Sequence, residues 1–175
     1  MPVGNLELIN SFEVTSTVTS FDCDNIFSAN YDVYMIAIDG IQEVSALQWL
    51  RIRFLDSTGT VITASEYDYA QLTMYSNATF VDTTRGVSQD NLTYSGIGNT
   101  DDSGTNSILY VYNPYDSSSY TFTQAQSSFT TSAILNGTKG IGVHKSAETI
   151  RGIRFYVSSG NFGSGFFRIY GLASN

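Results

Sequence analysis

Two prolines, one cysteine and one histidine in a chain of 175 residues leave several chemistries without their raw material. A lone cysteine, Cys23, excludes an internal disulfide framework and any multi-cysteine zinc site, and is expected as a small buried hydrophobe rather than a reactive thiol. His144 has no second imidazole to join in a His-based metal site, and no G-x-S-x-G elbow accompanies it, so a Ser/His/Asp hydrolase is not expected. It reads as a turn or strand-end residue. Basic residues are scarce too: 8 Lys and Arg stand against 16 Asp and Glu, a net charge of -8. That field repels phosphate backbones and anionic headgroups, which argues against nucleic acid and membrane partners. No apolar run reaches the roughly 18 residues a spanning helix needs, and residues 1–10 carry no basic patch followed by an apolar stretch. The expectation is a soluble protein made in the cytoplasm. Asn77, Asn91 and Asn136 match the glycosylation pattern, but without a secretory signal they fit a Ser/Thr/Asn-rich composition.

What is present favours strands. Tyr and Phe number 12 and 11, and with frequent Thr, Val and Ile they suit a pleated, half-buried surface. Charged residues make up only 14% of the chain, so solubility rests on hydroxyls and amides. Residues 12–18 alternate apolar and polar, and a turn cluster follows at Asp22, Cys23, Asp24 and Asn25. Residues 31–39 read as a largely buried strand stopped by Gly40. Residues 47–55 put Leu50, Ile52 and Phe54 on one face and Trp49, Arg51 and Arg53 on the other. The Asp56-Ser57-Thr58-Gly59 turn predicts a hairpin between residues 51–55 and 60–64. Residues 67–85 carry short, weaker strands, and the polar stretch 86–105 reads as a long surface loop. Strands are expected again at 107–112, 120–125, 129–135, 149–158 and 165–171, with turns at Asn113-Pro114-Tyr115-Asp116 and Asn136-Gly137. This rhythm of nine or ten short strands predicts one all-β domain over residues 1–175, an antiparallel β-sandwich.

The closing pair constrains orientation. Burying Ile153, Phe155, Val157, Phe167 and Ile169 puts Arg154, Tyr156, Arg168 and Tyr170 on the other face. If the two strands pair directly, Arg154 meets Tyr170 and Tyr156 meets Arg168 in cation-π contacts. Placement in opposite sheets removes those contacts and keeps the inward set.

The stretch Ile150-Arg151-Gly152-Ile153-Arg154-Phe155-Tyr156-Val157-Ser158-Ser159-Gly160-Asn161-Phe162, followed by Gly165-Phe166-Phe167-Arg168-Ile169-Tyr170-Gly171-Leu172, resembles an ending found in bacteriophage virion structural proteins. The earlier runs from Ile26 to Tyr34 and from Leu50 to Gly59 resemble the first half of that group; the middle, residues 67–106, does not. The resemblance implies a jelly-roll-like sandwich displayed on a virion, as a capsid decoration or cement protein or as part of a tail fibre. It implies no catalytic residues and no cofactor, other virion proteins as partners, and a homo-oligomer, by analogy a trimer.

Other chemistries find less support. Asp22-x-Asp24-Asn25 and Asp101-Asp102-Ser103-Gly104 gather hard oxygen ligands, yet the EF-hand glycine and glutamate positions hold Phe27 and Val33 in one and Asn106 and Tyr112 in the other. Paired carboxylates for glycoside hydrolysis are not marked by any cleft pattern. Gly160, Gly163 and Gly165 precede no helix and so form no phosphate cradle. The candidate ligand or interface residues are the aromatics Trp49, Tyr67, Tyr69, Tyr75, Tyr94 and Tyr115. They serve either subunit contacts or, in the rival reading of a receptor- or carbohydrate-binding module, a host-surface glycan.

Overall fold

Alternation of apolar and polar side chains makes a strand two-faced, and the chain resolves that by stacking two sheets. The computed structural model describes residues 6–44, 48–77, 81–97, 104–131 and 134–173, and for residues 81–83 the backbone alone. Twelve strands are present among them: β1 (Leu6–Val14), β2 (Ser20–Cys23), β3 (Val33–Glu43), β4 (Gln48–Asp56), β5 (Tyr67–Tyr75), β6 (Val81–Gln89), β7 (Leu92–Ile97), β8 (Thr105–Tyr112), β9 (Thr121–Thr131), β10 (Ile134–His144), β11 (Ile150–Val157) and β12 (Phe162–Leu172). No helix occurs among the described residues. Every strand pairing is antiparallel. One sheet has eight strands in the order β1-β12-β3-β8-β9-β10-β5-β6; the other has four, β2-β11-β4-β7.

The inward residues of the two sheets merge into one core. Tyr34, Ile36 and Ile38 of β3 and Phe167 and Ile169 of β12 face Leu50, Ile52 and Phe54 of β4 and Ile153, Phe155 and Val157 of β11. Phe155 and Phe167 meet across the layer with ring centroids 4.8 Å apart, and Phe21 lies 4.6 Å from Phe167 and 5.5 Å from Phe155. Burying each such ring contributes about 1.5–3 kcal/mol. The architecture is all-β and β-sandwich-like. Cys23 is fully buried in the core, and burial raises its thiol pKa.

Several sequence expectations need correction. There are twelve strands rather than nine or ten, because two stretches read as weak or irregular are strands. Residues 67–85 supply most of β5 and β6, a paired hairpin at the edge of the large sheet. Within residues 86–105, expected as a loop, β7 is buried along its whole length; residues 98–103 lie outside the described residues. Its polarity misled the reading: Thr93 and Ser95 are buried because their hydroxyls find partners inside. Asn136 and Gly137 lie within β10, since Asn136 Nδ2 is held by Thr131 Oγ1 at 2.7 Å and Ile134 O at 2.8 Å. Residues 121–125 and 129–131 belong to one strand, β9.

The first strand runs Leu6–Val14, and Val18 keeps only a bridge to Phe162. Asp22 and Cys23 belong to β2, with the turn left to Asn25 at φ 56°. Gly40 does not stop β3; it takes φ 59° where the register with β8 shifts between Ile38 and Ile41, and the strand continues to Glu43. Beyond the Asp56 turn, the second hairpin arm is reduced to a bridge between Leu55 and Val61. Leu47 lies outside the described residues.

β11 and β12 fall in different sheets, so the two cation-π contacts do not form, while the inward set stands. Arg154 instead forks onto Asp22, with Nε and Nη2 2.6 and 2.7 Å from the two carboxylate oxygens. Tyr156 lies beneath Arg53 at 5.1 Å, and Arg168 lies 5.5 Å from the Phe166 ring.

Candidate functional site

In β8, β9 and β10 several hydroxyl and amide side chains are buried while Ile108, Phe122, Leu135 and Ile141 are exposed, although Leu109, Val111, Ala125 and Phe129 still face inward. The inward residues of β9 include Thr121, Thr123, Ala125 and Ser127, while Phe122 faces outward. Inside, most of these hydroxyls find partners, Thr121 Oγ1 being the exception. Ser95 Oγ lies 2.8 Å from Ser127 Oγ, Ser127 shares a short hydrogen bond with Thr138, and Thr138 Oγ1 donates to Tyr94 O at 3.1 Å. Gln71 Nε2 donates to the Thr93 carbonyl. A buried hydroxyl layer is tolerated when so paired.

The apolar side chains displaced from that layer stand on the outer face of the large sheet. Strand register aligns them in rows across it. One row runs Leu8, Tyr170, Met35, Tyr110, Gln124, Ile141 and Ala70. Its neighbour runs Leu6, Leu172, Val33, Tyr112, Phe122, Val143 and Asp68. Leu8 is 54%, Phe122 49% and Ile141 60% exposed. These rows carry Asp68, which is paired with Lys145 Nζ at 2.9 Å, and the first continues from Ala70 to Arg85 on β6. Towards the opposite end the face turns polar, with Asp39 and Arg168 3.4 Å apart and Gln126 and Lys139 nearby on β9 and β10. Two shallow concavities open on it, one of about 710 Å³ lined by Val87, Tyr112, Phe122 and Ile141, the other of about 780 Å³ lined by Ala37, Ile108, Tyr110 and Lys139. An apolar band of this kind, interrupted by Gln124, is the candidate binding surface.

The aromatics singled out from sequence are not gathered into one platform. Tyr67 and Tyr94 are corrected outright: both are buried, Tyr67 with its hydroxyl accepting from Phe54 N at 3.1 Å and reaching Ile62 O at 3.2 Å, Tyr94 with its hydroxyl on Thr123 Oγ1. Burial raises both phenol pKa values. Tyr69 is half-buried against the core and Tyr75 closes β5; Trp49 is on β4 in the other sheet, and Tyr115 is exposed in the turn after β8. The residues missed are Tyr110, Tyr112, Phe122 and Ile141. Residues 107–112 and 120–125 read as strands without a facing, and Ile141 lies in a part of β10 where no strand is expected from sequence.

The acidic segment at Asp22 and Asp24, whose spacing fails the EF-hand pattern, holds arginines. Asp24 takes Arg151 Nε and Nη2 at 2.8 and 2.7 Å, and Asp22 takes Arg154. Asp101 and Asp102 lie outside the described residues.

A second cluster was not foreseen. His144 is the last residue of β10, its side chain fully buried beside Tyr67, with ring centroids 4.8 Å apart. Glu66, just before β5, is held by Lys145 N donating to its carbonyl at 2.8 Å; Glu148 lies in the crossover from β10 to β11. His144 Nε2 stands 3.3 Å from Glu66 Oε2 and 3.8 Å from Glu148 Oε1. Burial pulls the imidazole below its usual range, against the opposing pull of Glu148 and Glu66. Compared with known proteins, the chain matches no family model, no curated protein and no solved structure.

Proposed function

We propose that this chain is a jelly-roll-like sandwich serving, without turnover, as a structural protein on the surface of a bacteriophage particle. It is either a capsid decoration or cement protein or a tail-fibre component, and it acts through protein–protein contacts. The jelly-roll reading is supported by strand order. Setting aside the β5–β6 and β9–β10 pairs leaves β1-β12-β3-β8 facing β2-β11-β4-β7. Numbered along the chain these are 1-8-3-6 and 2-7-4-5, the order of two interleaved Greek keys. The two inserted pairs widen one sheet only. The placement on a phage particle is supported by the resemblance of residues 26–34, 50–59, 150–162 and 165–172 to that group.

The observation that carries the interface reading is the apolar band across the outer face of the widened sheet. Its occupants in this reading are further copies of the chain, as a trimer, and neighbouring capsid or tail subunits. Two chains of net charge -8 repel at long range, and a contact through rows whose charges are few and of opposite sign, Asp68 and Arg85, is where that repulsion is least. Light-scattering mass in solution tests this. The wild type is expected above monomer mass, and the double variant Phe122→Asp with Ile141→Asp at monomer mass with an unchanged circular dichroism spectrum. A wild-type monomer, or a variant that stays assembled, contradicts it.

The rival reading, a receptor- or carbohydrate-binding module of a tail fibre, is favoured by the concavity where Tyr112 and Phe122 stand beside Gln124, a mixture of rings and amide suited to sugars. A glycan-array signal lost in Tyr112→Ala supports the rival.

A further inference from the structure

We infer that Glu66, His144 and Glu148 form a binding site for a first-row divalent cation of the zinc type, structural in role, closing the crossover between the two sheets.

Three observations carry this. The first is an orphaned ring: His144 is completely buried, and neither Nδ1 nor Nε2 has a hydrogen-bond partner. A neutral imidazole carries one N–H and one lone pair, so the ring leaves both unmatched in the core, a cost that native proteins generally avoid. Nε2 comes within 3.3 Å of Glu66 Oε2 without hydrogen-bond geometry, so the protein alone does not satisfy it. A cation taking the Nε2 lone pair removes one of the two orphans.

The second is spacing. One ligand atom from each of the three residues lies within 4.8 Å of the others. Bonds of about 2.0–2.1 Å at tetrahedral angles place ligand atoms roughly 3.3 Å apart. The Nε2 to Glu66 distance is already 3.3 Å, and the 3.8 Å gap to Glu148 closes with a small side-chain rotation. Glu66 and Glu148 are 40% and 33% exposed, free to make that adjustment and to leave the remaining coordination position to water.

The third is the set of donors. One nitrogen with two carboxylate oxygens suits zinc and its first-row neighbours, whereas calcium prefers six to eight oxygens and makes little use of imidazole. Two carboxylates supply the compensating charge, and Lys145, next to His144 in the chain, is engaged with Asp68. The backbone positions all three residues: His144 pairs with Tyr67 in the sheet, which puts Glu66 next to it, and Glu148 follows His144 by four residues in the crossover. A cation here ties β5 and β10 to the segment leading into β11, an inner strand of the smaller sheet.

The test uses untagged, chelator-treated protein, because His144 is the only histidine and its ring nitrogens are therefore assigned without ambiguity. Zinc chloride is titrated while the imidazole nitrogen resonances and the thermal midpoint are followed. The expected result is saturation at one equivalent, a displaced Nε2 resonance, a raised midpoint reversed by EDTA, and at least tenfold weaker binding in Glu66→Gln and in Glu148→Gln. Those two variants keep the buried ring in place and so keep the fold. Zinc binding that leaves the imidazole resonances unmoved, binding undiminished in both variants, an equal response to calcium, or no binding at all each overturns the inference.

Discussion

Phe155 touches both Phe21 and Phe167 at the meeting of the sheets, so truncation there leaves a hole that neither sheet closes alone. Phe155→Ala is expected to cost about 3–5 kcal/mol in urea unfolding. A cost under about 1 kcal/mol means the core lies elsewhere. Charged residues act at smaller scale and through pH. The Thr58 side chain and backbone hold the Asp56 carboxyl below its ordinary range, and the Ser118 side chain and backbone do the same at Asp116. At Asp90 burial pushes upward and is outweighed by Asn91 and Arg53. A carboxyl with a lowered folded pKa binds its proton more weakly than in the unfolded chain. Its stabilisation is therefore fully present above the unfolded value of about 3.9 and is lost as pH falls through the folded value. The urea midpoint is expected to fall between pH 5 and pH 2, with Asp56→Asn flattening part of that limb; a midpoint constant over the interval contradicts the assignment. At this scale the sequence was legible wherever alternation met a purely apolar side chain, as at Ile52, Phe54, Ile153 and Ile169. It was not legible at Tyr67 and Tyr94, whose burial depends on hydroxyl partners on other segments of the chain.

Strands were legible where β-branched and aromatic residues alternate with charge, as in β4 and β11, and illegible where the buried face is made of hydroxyls. β7 is the plainest case, because a Thr-Tyr-Ser-Gly run looks like a loop until Ser127 and Thr138 are placed against it. Asn136-Gly137 is the converse, a dipeptide with turn character used inside a strand, since Asn136 caps its own hairpin from within β10. Ser127 joins β9 to β7 and β10, so Ser127→Ala removes one bond from each of Ser95 and Thr138, which keep those to the Gly96 and Tyr94 carbonyls. At about 0.5–1.5 kcal/mol per bond the expected cost is about 1–3 kcal/mol. Ser95→Ala made on that background is expected to cost less than Ser95→Ala alone. Additive losses in the double-mutant cycle contradict a shared network. The Glu66, His144 and Glu148 cluster escaped the sequence for a related reason: Glu66 is brought to His144 only by the pairing of β5 with β10.

For the whole molecule, a low content of charge and a net charge of -8 set the terms of association. Copies meeting through the apolar rows gain from burial and lose from like-charge repulsion, and only the second is screened by salt. Assembly is therefore expected to tighten as sodium chloride is raised from low to physiological strength, measured by sedimentation velocity; loosening with salt points to a contact made by ion pairs instead. The layered β architecture followed from composition and rhythm, while the interface face did not, because an apolar outer row and an apolar inner row have the same period in sequence. Hydroxyl-radical footprinting of the assembled protein against the Phe122→Asp, Ile141→Asp double variant tests the outer face directly. Tyr110, Tyr112 and Met35 are predicted to be protected in the wild-type assembly and reactive in the variant, with Tyr115 equally reactive in both. Reactivity at Tyr110 and Tyr112 that is the same in both proteins contradicts the assignment of this face as the interface.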